Sequence, residues 1–102
     1  MNNKTKLGRV KKFLADNHIQ YIEKKEHEWG RSDLFLPKFK INIKCQGEDD
    51  KEFYMRYRED RFPIFVRDED TPDFVLEKVQ NTIIKVMKMQ QEKYMEEIQK
   101  KQ

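Results

Sequence analysis

The stretch Asp33-Leu34-Phe35-Leu36-Pro37-Lys38-Phe39-Lys40-Ile41-Asn42-Ile43-Lys44-Cys45-Gln46-Gly47 decides the fold. From Phe39 the alternation is strict: Phe39, Ile41, Ile43 and Cys45 face one way, and Lys40, Asn42, Lys44 and Gln46 the other. A period of two over seven residues is a strand. Gly47 closes it. Asp33–Leu36 is a shorter strand, stopped or bulged at Pro37, because proline cannot donate to a ladder. Lys40 and Lys44 make one face of the longer strand polar, so that row must be solvated, paired or set in a cleft.

Upstream, Leu7, Val10, Phe13 and Leu14 recur at helical spacing, which predicts an amphipathic helix over about Thr5–Asp16, ended by Asn17-His18. His18–His27 opens with Ile19, Tyr21 and Ile22 and reads as a strand. Trp29-Gly30-Arg31-Ser32 reads as a turn. Downstream, residues 48–61 stay open between two readings. Acids at 48–50 ahead of Arg56, Arg58 and Arg61 suit a helix macrodipole, whereas Phe53, Met55 and Tyr57 alternate like a strand. Phe62–Val66 is a short apolar strand, and Thr71-Pro72 supplies a cap and a first-turn proline. A helix follows with Val75, Leu76, Val79, Ile83, Val86, Met87, Gln90, Tyr94 and Ile98 along one side, a stripe that weakens past Met89. Thirty helical residues span ~45 Å, more than a body of this size needs. Its last turns therefore fray or meet a partner.

The 102 residues make one small domain, with a core over 5–87 and a helical tail over 88–102. Charged residues reach 40% and hydrophobic ones 36%, yet twelve aromatics argue against a disordered chain. No apolar run approaches the ~20 residues that span a bilayer, and no apolar segment follows the N-terminal charges as in a secretory signal. One cysteine excludes an internal disulfide and, with only two histidines, argues against a closed zinc site. These features describe a cytoplasmic protein without a membrane partner. The formal charge is +3, but Lys4, Lys6, Arg9, Lys11 and Lys12 all precede the first acid, Asp16. Such an arm either contacts a phosphate backbone or is simply solvated. Arg56 and Arg58, interleaved with Tyr54 and Tyr57, also suit DNA contact or a solvated face.

The element order, with Ser32-Asp33-Leu34-Phe35-Leu36-Pro37 and then Ile41-Asn42-Ile43-Lys44-Cys45-Gln46-Gly47, resembles the PD-(D/E)XK nuclease superfamily. The likeness is to its small very-short-patch-repair-type endonucleases and related bacterial domains. Phe62-Pro63-Ile64-Phe65-Val66-Arg67 is similar to the fourth strand of that family, and the resemblance covers residues 5–87. It implies an α/β fold in the order α-β-β-β-α-β-α, a small mixed sheet with helices on both faces and a long C-terminal helix. It also implies a site: two carboxylates on adjacent strands hold Mg²⁺ against the scissile phosphate while a lysine orients or deprotonates water.

Asp33 matches the first carboxylate and would be the metal ligand of an active enzyme. Without a gap, Lys44 stands where the family has its Glu, and Gln46 where it has a Lys or acid. A slip of two residues reads Asn42-Ile43-Lys44 as the triplet and keeps strand parity, but puts Asn42 in place of the carboxylate. Neither alignment supplies a second acid. An ammonium beside the metal position opposes a divalent cation, and Lys44 could pair with Asp33 instead. Glu48, Asp49 or Glu52 could restore the site if an acid has migrated. Cys45 reads as core, Trp29 as a cap on the core or a base-stacking platform, and His18 and His27 lie too far apart in one strand to act together. Three functions follow: a catalytically degenerate nuclease-like module for nucleic-acid binding or assembly that needs no cofactor; an active Mg²⁺-dependent DNA endonuclease with a rearranged site; or a small interaction module that pairs, as a homodimer or with another protein, through its C-terminal helix.

Overall fold

A computed structural model describes residues 3–27, 30–45 and 62–100. These residues form an α/β arrangement of two helices and a four-stranded mixed sheet. Helix α1 spans Asn3–Asp16, strands β1 to β4 span Ile22–His27, Gly30–Leu36, Ile41–Cys45 and Phe62–Val66, and helix α2 spans Pro72–Lys100. Strand order follows chain order. The β1–β2 and β2–β3 pairs are antiparallel, and β3 and β4 run parallel. The element expected between β3 and β4, with its second covering layer, falls on residues 46–61, outside the described residues.

Helix α1 ends as its sequence suggests. His18 takes a positive φ of 56°, its amide donates to the Ala15 carbonyl, and the Ile19 amide reaches back to Leu14. This pair of bonds around a left-handed residue is a Schellman closure, so His18 serves the helix end. The closure also delays β1, which begins at Ile22 instead of His18, and leaves Ile19 and Tyr21 as loop residues packed on the core. Strand β2 starts early, at Gly30, because Gly30, Arg31 and Ser32 continue the pairing with His27, Glu26 and Lys25. Strand β3 is shorter than its alternation: Phe39 and Lys40 belong to the preceding turn, where Lys40 has a φ of 57°. At α2, Thr71 is the cap, its hydroxyl accepting the Phe74 amide at 3.1 Å with Pro72 in the first turn.

One sheet face carries Leu34, Leu36, Ile41, Ile43, Cys45, Ile64 and Val66, all buried. The register sets Leu34 opposite Ile43, Leu36 opposite Ile41, Ile43 beside Ile64 and Cys45 beside Val66. Val10 and Leu14 of α1 join Val75, Val79, Ile83 and Val86 of α2 in the same core. Side chains of this size gain ~1.5–3 kcal/mol each on full burial, so this layer dominates the stability. No residue of α2 after Val86 is buried. Among the described residues no helix is long and apolar enough to cross a membrane.

Candidate functional site

The middle of β2 and the adjoining β3 bring together Asp33, Asn42, Lys44 and Cys45. The β2–β3 pairing is regular from Leu36 to Leu34, where it stops. At that point the Asp33 carboxylate takes the place of the ladder: Oδ2 accepts the Cys45 amide at 2.8 Å. On the other side of β2, the Lys24–Asp33 step is missing from an otherwise constant register, and Lys24 has a φ of 50°. Beyond the break, Ser32 Oγ donates to Asn42 Oδ1 at 2.9 Å. Asn42 lies on the face opposite Ile41 and Ile43, so Ser32, two residues from core-facing Leu34, has changed sides. The alternation of β2 breaks at Asp33.

This break changes what the aspartate does. The anticipated ion pair between Asp33 and Lys44 is not formed among the described residues. The carboxylate lies instead against Cys45, one residue along. Lys44 is nearly buried, and Asn42 is more deeply so. Burial pushes the Cys45 thiol up to about 12, and the neighbouring Asp33 charge and carboxylate add to that, outweighing the opposing pull of Lys6 and Lys44. A thiol held this far above neutrality is no nucleophile. Among the described residues no three of His, Cys, Asp and Glu gather where they could hold a metal ion. Gln46, Glu48, Asp49, Glu52, Arg56, Arg58 and Trp29 lie outside the described residues.

The N-terminal cations are mostly occupied. Lys6 is fully buried, and its Nζ donates to the carbonyls of Arg67 and Asp68, both at 2.9 Å. Arg9 pairs with Asp73 and Lys11 with Glu23. Only Lys4 and Lys12 of the five are exposed without a partner in the described structure. The expected basic arm is largely a set of internal ties between α1 and its neighbours.

Sequence reading missed one further cluster. Asp70 Oδ2 accepts both the Arg67 amide and Lys78 Nζ at 2.9 Å, and Lys78 also reaches the Phe65 carbonyl at 3.3 Å. Burial raises the Asp70 carboxyl, but its bonds from Lys78 and the Arg67 amide, with the charges of Lys78 and Lys6, prevail and hold it below the ordinary value. With Lys6 on the Arg67 and Asp68 carbonyls, this locks the β4–α2 turn. The spacing of Asp70 and Lys78, two turns apart across a helix start, was the available signal.

No protein-family model matches the chain, and neither a curated protein nor a solved structure matches it.

Proposed function

We propose that this chain is a non-hydrolytic domain on a nuclease-like framework, working as an assembly module through the outer half of α2. Support for the framework comes from the order of elements: a helix, three antiparallel strands, a fourth strand parallel to the third, and a closing helix. The observation that carries the loss of catalysis is the Asp33 carboxylate bonded to the Cys45 amide. An acceptor held by a backbone donor, with Lys44 and Lys6 close enough to act on the same cysteine, is a poor start for a Mg²⁺ cradle that wants carboxylates and waters. Assembly is favoured over nucleic-acid binding because Lys6, Arg9 and Lys11 already have partners, while α2 leaves Ile84, Met87, Tyr94 and Met95 exposed.

Two measurements test this. Supercoiled, single-stranded and mismatched DNA incubated with the protein and Mg²⁺ or Mn²⁺ should remain intact. Cleavage that disappears in Asp33→Ala overturns the non-hydrolytic reading. A chain ending at Gln90 should melt within a few degrees of the full chain, because the buried residues of α2 stop at Val86. A large loss of stability would make the outer half part of the core instead of a contact surface.

A further inference from the structure

We infer that the partner of α2 is a second copy of this chain, packed antiparallel along the outer half of the helix with the two-fold axis at Gln91. The inference rests on the assembly reading above and names its occupant. Helix α2 continues to Lys100, about 21 Å beyond Val86. From the last buried turn outward, Ile84, Met87, Gln91, Tyr94 and Ile98 follow at intervals of three and four, the seam spacing of paired helices. Ile84, Met87 and Tyr94 are 50%, 53% and 63% exposed, and Met95 beside them is 50% exposed. At 100° per residue this seam lies about a third of a turn from the buried stripe, so the helix can serve its own core and a partner at once.

The charges choose the partner. Lys85, Lys88 and Glu92 all lie on one flank of the seam, while Gln90 and Glu97 lie on the other. Antiparallel packing brings like flanks together. Lys88 of one copy then meets Glu92 of the other, and symmetry forms the pair twice, on either side of Gln91. Parallel packing turns Glu92 toward the flank of Gln90 and Glu97 and loses the match. Antiparallel packing also sets Ile84 against Ile98 of the partner and keeps the two bodies at opposite ends. Two shallow clefts border the seam and share Lys88 and Gln91. The first, of about 500 Å³, lies between Phe39 and the Ile84–Met87 turn, where the partner's helix end would rest. A single helix pair is small beside the ~1,600 Å² of a standard interface, so the dimer dissociates on dilution.

The test is sedimentation equilibrium of the full chain over two decades of concentration, with five variants. The wild type should move from monomer to dimer. Met87→Glu should raise the dissociation constant at least tenfold without changing the circular dichroism, or the Tm read at a dilution where both proteins are monomers, since Met87 is half exposed. Lys88→Glu and Glu92→Lys should each weaken the homodimer, and an equimolar mixture of the two should associate as a heterodimer, a recovery that the pairing of residues four apart within one helix cannot supply. Under mild oxidation Gln91→Cys should give a covalent dimer and Ile84→Cys should not, because the two copies of residue 84 would stand about 21 Å apart along the axis. The native Cys45, buried and protonated, stays silent. A wild type that is monomeric throughout overturns the inference, as does Ile84→Cys linking as readily as Gln91→Cys. Both results leave the absence of DNA cleavage standing, whereas cleavage overturns the functional reading and leaves the dimer intact.

Discussion

Replacing Lys6 tests whether the N-terminal cations are structural. Its ammonium is fully buried and satisfied by two carbonyls of the β4–α2 turn. Three contributions compete. Four methylenes of stem at ~0.8 kcal/mol each give about 3 kcal/mol of apolar burial. Two bonds from a charged donor contribute ~1.5–3 kcal/mol each. Opposing both, holding the ammonium away from water costs several kcal/mol. Lys6→Ala loses stem and bonds and leaves a cavity, so it should destabilise by about 3–5 kcal/mol. Lys6→Met keeps most of the stem and removes the buried charge, and water can reach the exposed Arg67–Asp68 turn, so its loss should be about 1–2 kcal/mol. Urea unfolding followed by circular dichroism reads both, and a fall of 1 kcal/mol moves Tm by ~4–8 °C in a domain this size. If both variants cost less than about 0.5 kcal/mol, the side chain is not seated against the turn and the ties described for α1 are wrong.

The remaining cations make a contrasting prediction. If any duplex DNA is held by this arm, Lys4→Gln with Lys12→Gln should flatten the salt dependence of binding, while Arg9→Gln should leave it nearly unchanged; equal effects would mean that the Arg9–Asp73 pair does not persist in solution. Cys45 should resist a maleimide at pH 8 in the native protein and react at once in urea; rapid native labelling would contradict its burial. Because its folded value lies above the ~8.5 of a free thiol, the stability it contributes is present below pH ~8.5 and declines as pH rises toward 12. Asp70 has the opposite sign. Its lowered carboxyl contributes stability above the unfolded value of ~3.9 that is lost as pH falls through the folded one, so Asp70→Asn should flatten the acid limb of stability against pH. An unchanged limb would mean that Lys78 does not hold it.

Periodicity and caps made much of the framework readable. The alternation through Ile41–Cys45 located β3, the apolar run Phe62–Val66 located β4 to the residue, and Thr71-Pro72 marked where α2 begins. What escaped depends on local backbone geometry. Ile19 and Tyr21 have strand-like side chains, but the left-handed His18 turns the chain before pairing starts. Gly30-Arg31-Ser32 has a turn-like composition, but the β1–β2 register runs through it. Lys6 stands one turn before Val10 and two before Leu14, and all three are buried. Its charge hid it from a hydrophobic count. At the site, the expectation placed Asp33 beside Lys44, whereas its carboxylate accepts the Cys45 amide. Its side chain went to Cys45 and not Lys44 because the pairing of β2 breaks there, and a period of two carries no sign of such a break.

The order of strands leaves β1 at one margin of the described sheet, and its composition affects how copies of the protein can meet. Glu23, Lys24, Lys25 and Glu26 are exposed along it, and the left-handed Lys24 interrupts the regular row of outward amides and carbonyls. Another strand approaching this margin would find mismatched spacing and charges to desolvate. Growth of the sheet from molecule to molecule is thereby discouraged on that side, and a protein with so polar a rim can stay dispersed at concentrations where a flat apolar margin would seed aggregates.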